Sequence, residues 1–302
     1  MPTRTSQLML RFLKENPIAA GITKANSVMD FEPPTRMIER LHIDGTRVRQ
    51  VRGTPCPALW TLPKGKHLKH KALLHLHGGA YTSGGLLQAY AVIAPVCAQS
   101  GVQAMTFAYR LVPEYPYPAQ LEDALAMYDW LENAGYNAKD IVLVGESAGG
   151  NLALALTRKL REQGRPLPAG LCLLSPWCDL KQKGASYEKN KAVDATLDAA
   201  SLMQSALAFA GGDAALLDDP MLCPLNADFH DFPPTQIHCG THELLQSDSQ
   251  TLLEHMKRDG TPAQLIEWAG MCHVFQIFPF EESKQSLKMI GEFIRECLVI
   301  SG

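Results

Sequence analysis

The sequence has no apolar run that approaches the roughly 18 residues needed to span a bilayer, and it has no low-complexity tract. The stretch around residues 8–13 lacks the continuous apolar region and the cleavage site of a signal peptide. Hydrophobic residues make up 46% of the chain and charged residues 20%, which is typical of a globular protein with a buried core. These observations argue against an integral membrane protein and a disordered chain.

The sequence also has little charge of one sign. Its net charge is -3, and the short basic run at residues 64–71 is interrupted, so we expect no nucleic-acid partner. Its eight cysteines are scattered and include no CxxC pair. Scattered thiols in apolar segments are typical of a reducing compartment, and they predict a soluble protein of the cytoplasm.

Metal and cofactor motifs are missing as well. His75 and His77 alternate along a strand-like segment, but no acidic or cysteine ligand lies near them in the sequence. We therefore expect neither a metal site nor a cofactor.

Short apolar segments alternate with segments of helical spacing along most of the chain. Six apolar runs have the length of buried parallel strands, and two earlier runs suit edge strands. Helical spacing follows at residues 121–131, 152–160, 252–256 and 287–294. The predicted strands are 47–51, 58–62, 73–76, 102–107, 141–144, 171–174, 236–239 and 264–268. This alternation predicts an α/β fold with a mostly parallel eight-stranded sheet flanked by helices, and with ligand sites after the strands.

Two regions depart from the alternation. Residues 1–45 contain helix-like pieces broken by prolines, and residues 183–212 are polar and then helical. We predict that both belong to a helical cap, and that residues 46–302 form the catalytic domain into which 183–212 is inserted. Met29, Phe31 and the apolar residues near Met203 could face a substrate, but residues at such spacing are more often core.

The strongest motif is Gly145-Glu146-Ser147-Ala148-Gly149, which matches G-x-S-x-G. A buried-strand run leads into it and a helical pattern leaves it, as a nucleophile elbow requires. Ser147 is therefore the predicted nucleophile, and the N–H group of Ala148 is a predicted donor to a developing oxyanion.

A second motif lies earlier in the chain. The strand at 73–76 runs into His77-Gly78-Gly79, where unhindered backbone N–H groups can approach a substrate carbonyl. We predict that Gly78 and Gly79 complete the oxyanion hole with Ala148.

Taken together, the sequence resembles the hormone-sensitive-lipase-like branch of the α/β-hydrolases from about residue 55 to the end. The resemblance rests on the two glycine motifs, on Tyr109–Glu114 and on Ser175–Asp179. The family's third glycine is replaced by Ala80, so its role in the oxyanion hole is less directly implied than that of Gly78 and Gly79.

The base and the acid should follow the nucleophile in the order Ser, acid, His. His273 follows the last strand-like run and is the predicted base. Glu243 follows the strand at 236–239 in a segment that resembles the family's acid loop, where aspartate is more usual, and it is the favoured acid. Asp248 and Asp179 remain alternatives, although Asp248 is better explained as the N-cap of the next helix.

The resemblance implies hydrolysis of carboxylic esters with short to medium acyl chains through an acyl-serine intermediate, without a cofactor. It also implies a possible homodimer through the sheet edge or the last helix. A lactone or amide hydrolase with the same triad is the nearer alternative, and a ligand-binding protein without catalysis is the more distant one.

Overall fold

The computed structural model describes residues 2–15, 43, 45–65, 68 and 70–300. Eight strands form one sheet in the order β1-β2-β4-β3-β5-β6-β7-β8. The β1–β2 and β2–β4 pairs are antiparallel, and every other neighbouring pair is parallel. The strands are β1 (Arg47–Val51), β2 (Ala58–Leu62), β3 (Ala72–Leu76), β4 (Ala104–Phe107), β5 (Ile141–Glu146), β6 (Gly170–Leu174), β7 (Thr235–Gly240) and β8 (Ala263–Trp268). The predicted mostly parallel eight-stranded sheet is confirmed.

Helices cover both faces of this sheet. The described helices are α1 (Arg4–Glu15), α2 (Leu86–Ser100), α3 (Ala119–Asn133), α4 (Ala148–Glu162), α5 (Ser186–Lys189), α6 (Ala199–Phe209), α7 (Gln246–Arg258) and α8 (Glu281–Cys297). No helix among these is long and apolar enough to cross a bilayer.

The central strands are mostly apolar because both of their faces are buried. Along β3, Leu73 packs on one side with α2 and α8, whereas Leu74 packs on the other side with α3, α4 and α7. This alternation follows from the two-residue period of a strand. It divides the core into two layers and leaves the carboxyl ends of β3, β5, β6 and β7 at one edge, where the predicted site residues lie.

The predicted N-terminal cap is described only in part, since residues 16–42, with Met29 and Phe31, lie outside the described residues. Within it, α1 buries Leu13 against Met271 and Phe275, which flank His273. Ser6 donates a 2.6 Å hydrogen bond to Glu282 on α8. The N-terminal helix therefore packs beside the loop of the predicted base.

Candidate active site

Ser147 stands at the sharp turn between β5 and α4. Its backbone has φ 56° and ψ -122°, a region that non-glycine residues adopt only when the surroundings impose it. Two backbone hydrogen bonds hold the turn, from the Ser147 N–H to the Leu174 carbonyl at 2.9 Å and from the Trp177 N–H to the Ser147 carbonyl at 3.0 Å. The strain is thus held by the neighbouring strand β6 and the loop that follows it.

The glycines around Ser147 allow the backbone to pack closely. A Cβ atom on Gly149 would lie 1.9 Å from the Leu76 carbonyl oxygen, and one on Gly145 would lie 2.3 Å from the Gly149 oxygen. Neither position has room for a side chain. The start of α4 is consequently pressed against the end of β3, and the serine motif lies beside the His77-Gly78-Gly79 loop.

The N–H groups of that loop do not all have the predicted role. The Gly78 N–H donates to Glu146 Oε1 at 2.7 Å, so it is already engaged, and the expectation that it donates to an oxyanion needs correction. The N–H groups of Gly79, Ala80 and Ala148 donate to no residue that the structure describes. These three N–H groups are the available donors beside Ser147.

The side chain of His77 contacts the loop that contains Gly78 and Gly79. Its Nδ1 lies 2.7 Å from the Gly78 carbonyl oxygen, and its ring stacks on Tyr109 with centroids 4.0 Å apart. Burial lowers the pKa of His77 to about 4, so the ring is neutral at physiological pH. Among the described residues, no group of three or more His, Cys, Asp and Glu side chains is arranged to hold a metal ion.

His273 and Glu243 meet in the interior beyond β6 and β7. Nδ1 of His273 lies 3.4 Å from Glu243 Oε2, and both side chains are buried. Burial raises the pKa of Glu243, while the nearby imidazole and a hydroxyl act in the opposite direction. A carboxylate beside Nδ1 can orient the imidazole and stabilise its charged form.

Ser175 links the acid to the base, a role that sequence reasoning missed. Its hydroxyl donates to Glu243 Oε2 at 2.8 Å and accepts the N–H of Val274 at 3.2 Å. Ser175 also has φ 48°, which directs its side chain from an unusual backbone conformation. Its place in Ser175–Asp179 was the only sequence signal for this role.

The two alternative acids have other partners. Asp248 lies inside the first turn of α7, which begins two residues earlier, and its carboxylate accepts the N–H groups of Cys178 and Asp179 at 2.8 Å each. The expectation that it is the N-cap is therefore wrong. Asp179 accepts N–H groups of its own loop, including that of Gly184 at 2.9 Å.

The segment 183–212 contacts both halves of the site. Asp194 accepts the Leu244 N–H at 2.7 Å, and Asn190 donates to the Glu243 carbonyl at 2.8 Å, so the first part of the segment holds the acid loop. Phe209, at the end of α6, stacks on Tyr81 with ring centroids 3.9 Å apart. The last part of the segment therefore packs on the loop that follows Gly79 and Ala80.

Residues 73–277 match a protein family described by its α/β-hydrolase fold. An acetyl-hydrolase of Streptomyces hygroscopicus is 34% identical over 242 residues, which cover 80% of each chain. An esterase of Acinetobacter venetianus is 33% identical over 237 residues, covering 76% of this chain and 78% of the relative.

Solved structures of esterases and lipases also superimpose on this chain. An esterase from the bacterial hormone-sensitive lipase family superimposes with a TM-score of 0.87 at 30% identity, covering 99% of both chains. A hormone-sensitive lipase from a metagenome library superimposes with a TM-score of 0.85 at 30% identity, covering 96% of this chain and 98% of that one.

Proposed function

The chain belongs to the hormone-sensitive-lipase-like esterases of the α/β-hydrolase fold and is a carboxylic ester hydrolase, and on this premise we propose that Ser147, His273 and Glu243 form its catalytic triad. The observation that carries the proposal is the strained elbow at Ser147 together with the buried His273–Glu243 pair. Each of these residues lies at the carboxyl end of a sheet strand or in the loop that follows one, as ligand sites in α/β folds do.

In the proposed reaction, the Ser147 hydroxyl attacks the ester carbonyl carbon while His273 accepts its proton. The carbonyl oxygen becomes an oxyanion that accepts hydrogen bonds from the N–H groups of Gly79, Ala80 and Ala148. Collapse of this intermediate breaks the bond to the alcohol, which takes the proton from His273 and leaves an acyl-serine. A water molecule then attacks the acyl carbon while His273 accepts its proton. The bond to Ser147 Oγ breaks, His273 returns the proton to Ser147, and the acid leaves.

We also propose that residues 183–212 and the N-terminal segment form the cap and limit which esters enter. Support comes from the contacts of Asp194 with the acid loop and of Phe209 with Tyr81. Short to medium acyl chains are the proposed substrates, in keeping with the acetyl-hydrolase name of one relative.

The cytoplasm is the proposed location, because all eight cysteines are free and seven are buried. A homodimer through the outer edge of β8 or through α8 is the proposed assembly, and sedimentation of the purified protein would test it.

The decisive experiment measures p-nitrophenol release from acetate, butyrate, octanoate and palmitate esters by the wild type and Ser147→Ala. We expect turnover of the shorter esters and a loss of about 10⁵-fold or more in kcat for Ser147→Ala. Ser100→Ala, at the end of α2, is the matched control, since its hydroxyl bonds only backbone atoms of Val96 and Val102 among the described residues. A wild type without serine-dependent turnover of any ester would redirect the search to lactones, amides or simple ligand binding.

A further inference from the structure

Glu146, the residue before the nucleophile, has a buried carboxylate that joins two strands. Its Oε1 accepts the Gly78 N–H at 2.7 Å, and its Oε2 lies 2.7 Å from His75 Nε2 on β3. The side chain of Glu146 is only 4% exposed and that of His75 is fully buried. Burying a carboxylate costs free energy unless it is hydrogen-bonded. Both oxygens of Glu146 are paired here, with groups of the segment that leads into Gly78 and Gly79.

The imidazole of His75 is fixed from its other side as well. Its Nδ1 lies 3.1 Å from the Thr106 hydroxyl on β4. Because an ionised carboxylate can only accept, Nε2 of His75 carries the proton donated to Glu146. The carboxylate of Glu146 therefore ends a chain of hydrogen bonds that crosses β4, β3 and β5. Its other oxygen, Oε1, accepts the N–H of Gly78.

The α-carbon of Gly78 lies close to the nucleophile. A Cβ atom on Gly78 would be 3.2 Å from the Ser147 Cβ and 3.0 Å from the Glu146 carbonyl oxygen. Gly79 follows with φ 114°, a conformation that leaves its own N–H and that of Ala80 free of partners among the described residues. Gly78 is the first residue of the loop that carries these two donors, so the bond to Glu146 fixes where that loop begins. Further along, the Gly78 carbonyl is held by His77 and the Gly79 carbonyl by the N–H groups of Thr82 and Ser83.

We propose that Glu146 is a positioning residue of the oxyanion hole: its carboxylate holds the Gly78 amide and thereby aims the N–H groups of Gly79 and Ala80. This inference rests on the proposed function, because an oxyanion forms only if Ser147 attacks a carbonyl. A purely structural carboxylate would influence folding without a specific effect on the tetrahedral intermediate. The two roles differ in their effect on a transition-state analogue.

The test compares Glu146→Ala, Glu146→Gln and Glu146→Asp with the control Glu162→Ala, an exposed position at the end of α4. Two quantities are measured, the kinetics on p-nitrophenyl butyrate and the inhibition constant of an alkyl trifluoromethyl ketone, whose serine adduct carries an oxyanion. Active sites are titrated first, so that unfolded protein does not count as lost activity.

For Glu146→Ala we expect kcat to fall about 100-fold, KM to change less than about threefold, and the ketone to bind about 100-fold more weakly. Glu146→Gln should lose less than about 10-fold, since its amide oxygen can still accept the Gly78 N–H while its NH₂ group donates to the other tautomer of His75. Glu146→Asp should lose about 10-fold, because its shorter side chain cannot reach both partners.

The inference is overturned if the folded variants lose kcat without weaker ketone binding, or if Gln is as impaired as Ala. If Glu146→Ala does not fold, Glu146→Asp decides, and values of kcat and ketone inhibition within twofold of wild type would reject the role. Failure of the proposed function gives a different result, namely a wild type whose turnover does not depend on Ser147.

Discussion

The two halves of the site are held in different ways. We call residues 75–80 and 145–149 the nucleophile region, and residues 175, 243–244 and 273–274 the acid–base region. In the nucleophile region, backbone packs on backbone, and Gly145 and Gly149 have no room for a Cβ atom. In the acid–base region, three separate loops meet through a few side-chain atoms, with Ser175 and Glu243 at the centre.

This difference shows why one region leaves a contiguous motif in the sequence and the other leaves only separate residues. Close backbone packing requires glycine at fixed spacing, which leaves a contiguous motif. Side-chain contacts between distant loops leave only isolated residues, 68 positions apart for Ser175 and Glu243. We therefore expect the acid–base region to be sensitive to the loss of single polar atoms.

The largest expected effect in this region comes from Glu243→Gln. The amide has nearly the same shape as the carboxylate, but its NH₂ group facing Nδ1 would favour the wrong tautomer of His273 and could not stabilise the imidazolium. We expect kcat to fall about 10³- to 10⁴-fold, measured with p-nitrophenyl butyrate at pH 8.

Two further variants serve as controls for this prediction. Glu243→Asp keeps the charge and should retain more activity than Glu243→Gln. Asp248→Asn keeps an acceptor for the N–H groups of Cys178 and Asp179 and should stay within about threefold of wild type. If Asp248→Asn lost as much activity as Glu243→Gln, the proposed assignment of the acid would have to be abandoned.

A smaller effect is expected for Ser175, which tests whether one hydroxyl holds the acid and base loops together. Both Ser175→Ala and Ser175→Gly remove the hydrogen bonds to Glu243 and Val274, so the acid and the base should be less well oriented. We expect kcat to fall about 10-fold in each variant, which corresponds to a rise of roughly 1.4 kcal/mol in the activation free energy. Glycine accepts φ 48° without strain, so the Gly variant should unfold at the higher temperature. Wild-type activity in Ser175→Gly would mean that the backbone, not the hydroxyl, matters there.

The fold could be predicted from the sequence because its central strands are buried on both faces. Runs such as 141–144 and 171–174 are apolar at every position, and β1 and β2 begin and end at the predicted residues. Helix α2 could not be recognised from the sequence, because it is buried on most of its surface and so lacks an apolar stripe. Burial of most of a helix removes the periodicity by which a helix is recognised.

The site was predictable where chemistry requires a residue type next to a fixed backbone shape. Ser147 and Ala148 follow from the elbow, and His273 follows from its place after the last strand. The hydrogen bond from the Gly78 N–H to Glu146 could not be predicted, because it joins residues 68 positions apart through a side chain in the variable position of the motif. The hydrogen bond from the Cys178 N–H, in the loop after β6, to Asp248 could not be predicted for the same reason.

The smallest effect on catalysis, but a clear one on stability, is expected for His238, which lies on β7 beneath the acid–base region. Its carbonyl accepts the Ser175 N–H at 2.7 Å. Nδ1 of His238 accepts a hydrogen bond from Trp268 Nε1 at 3.1 Å and lies 2.9 Å from the Ser286 hydroxyl, while Nε2 faces Gln236 Oε1 at 2.9 Å. These partners suit a neutral ring, and burial lowers the pKa of His238 to about 3.

Because the unfolded chain has an ordinary histidine pKa of about 6.5, it binds one more proton than the folded chain between that value and about 3. The stabilisation is fully present above pH 6.5 and is lost as pH falls, by about 1.4 kcal/mol per pH unit. Urea unfolding from pH 7.5 to 4.5 should show this slope reduced in His238→Gln but not in the exposed control His242→Gln, with the slope from His77 remaining in both. An unchanged slope in His238→Gln would mean that His238 takes up its proton without unfolding, and that the interior beneath the acid loop is more adaptable than the glycine-packed nucleophile region.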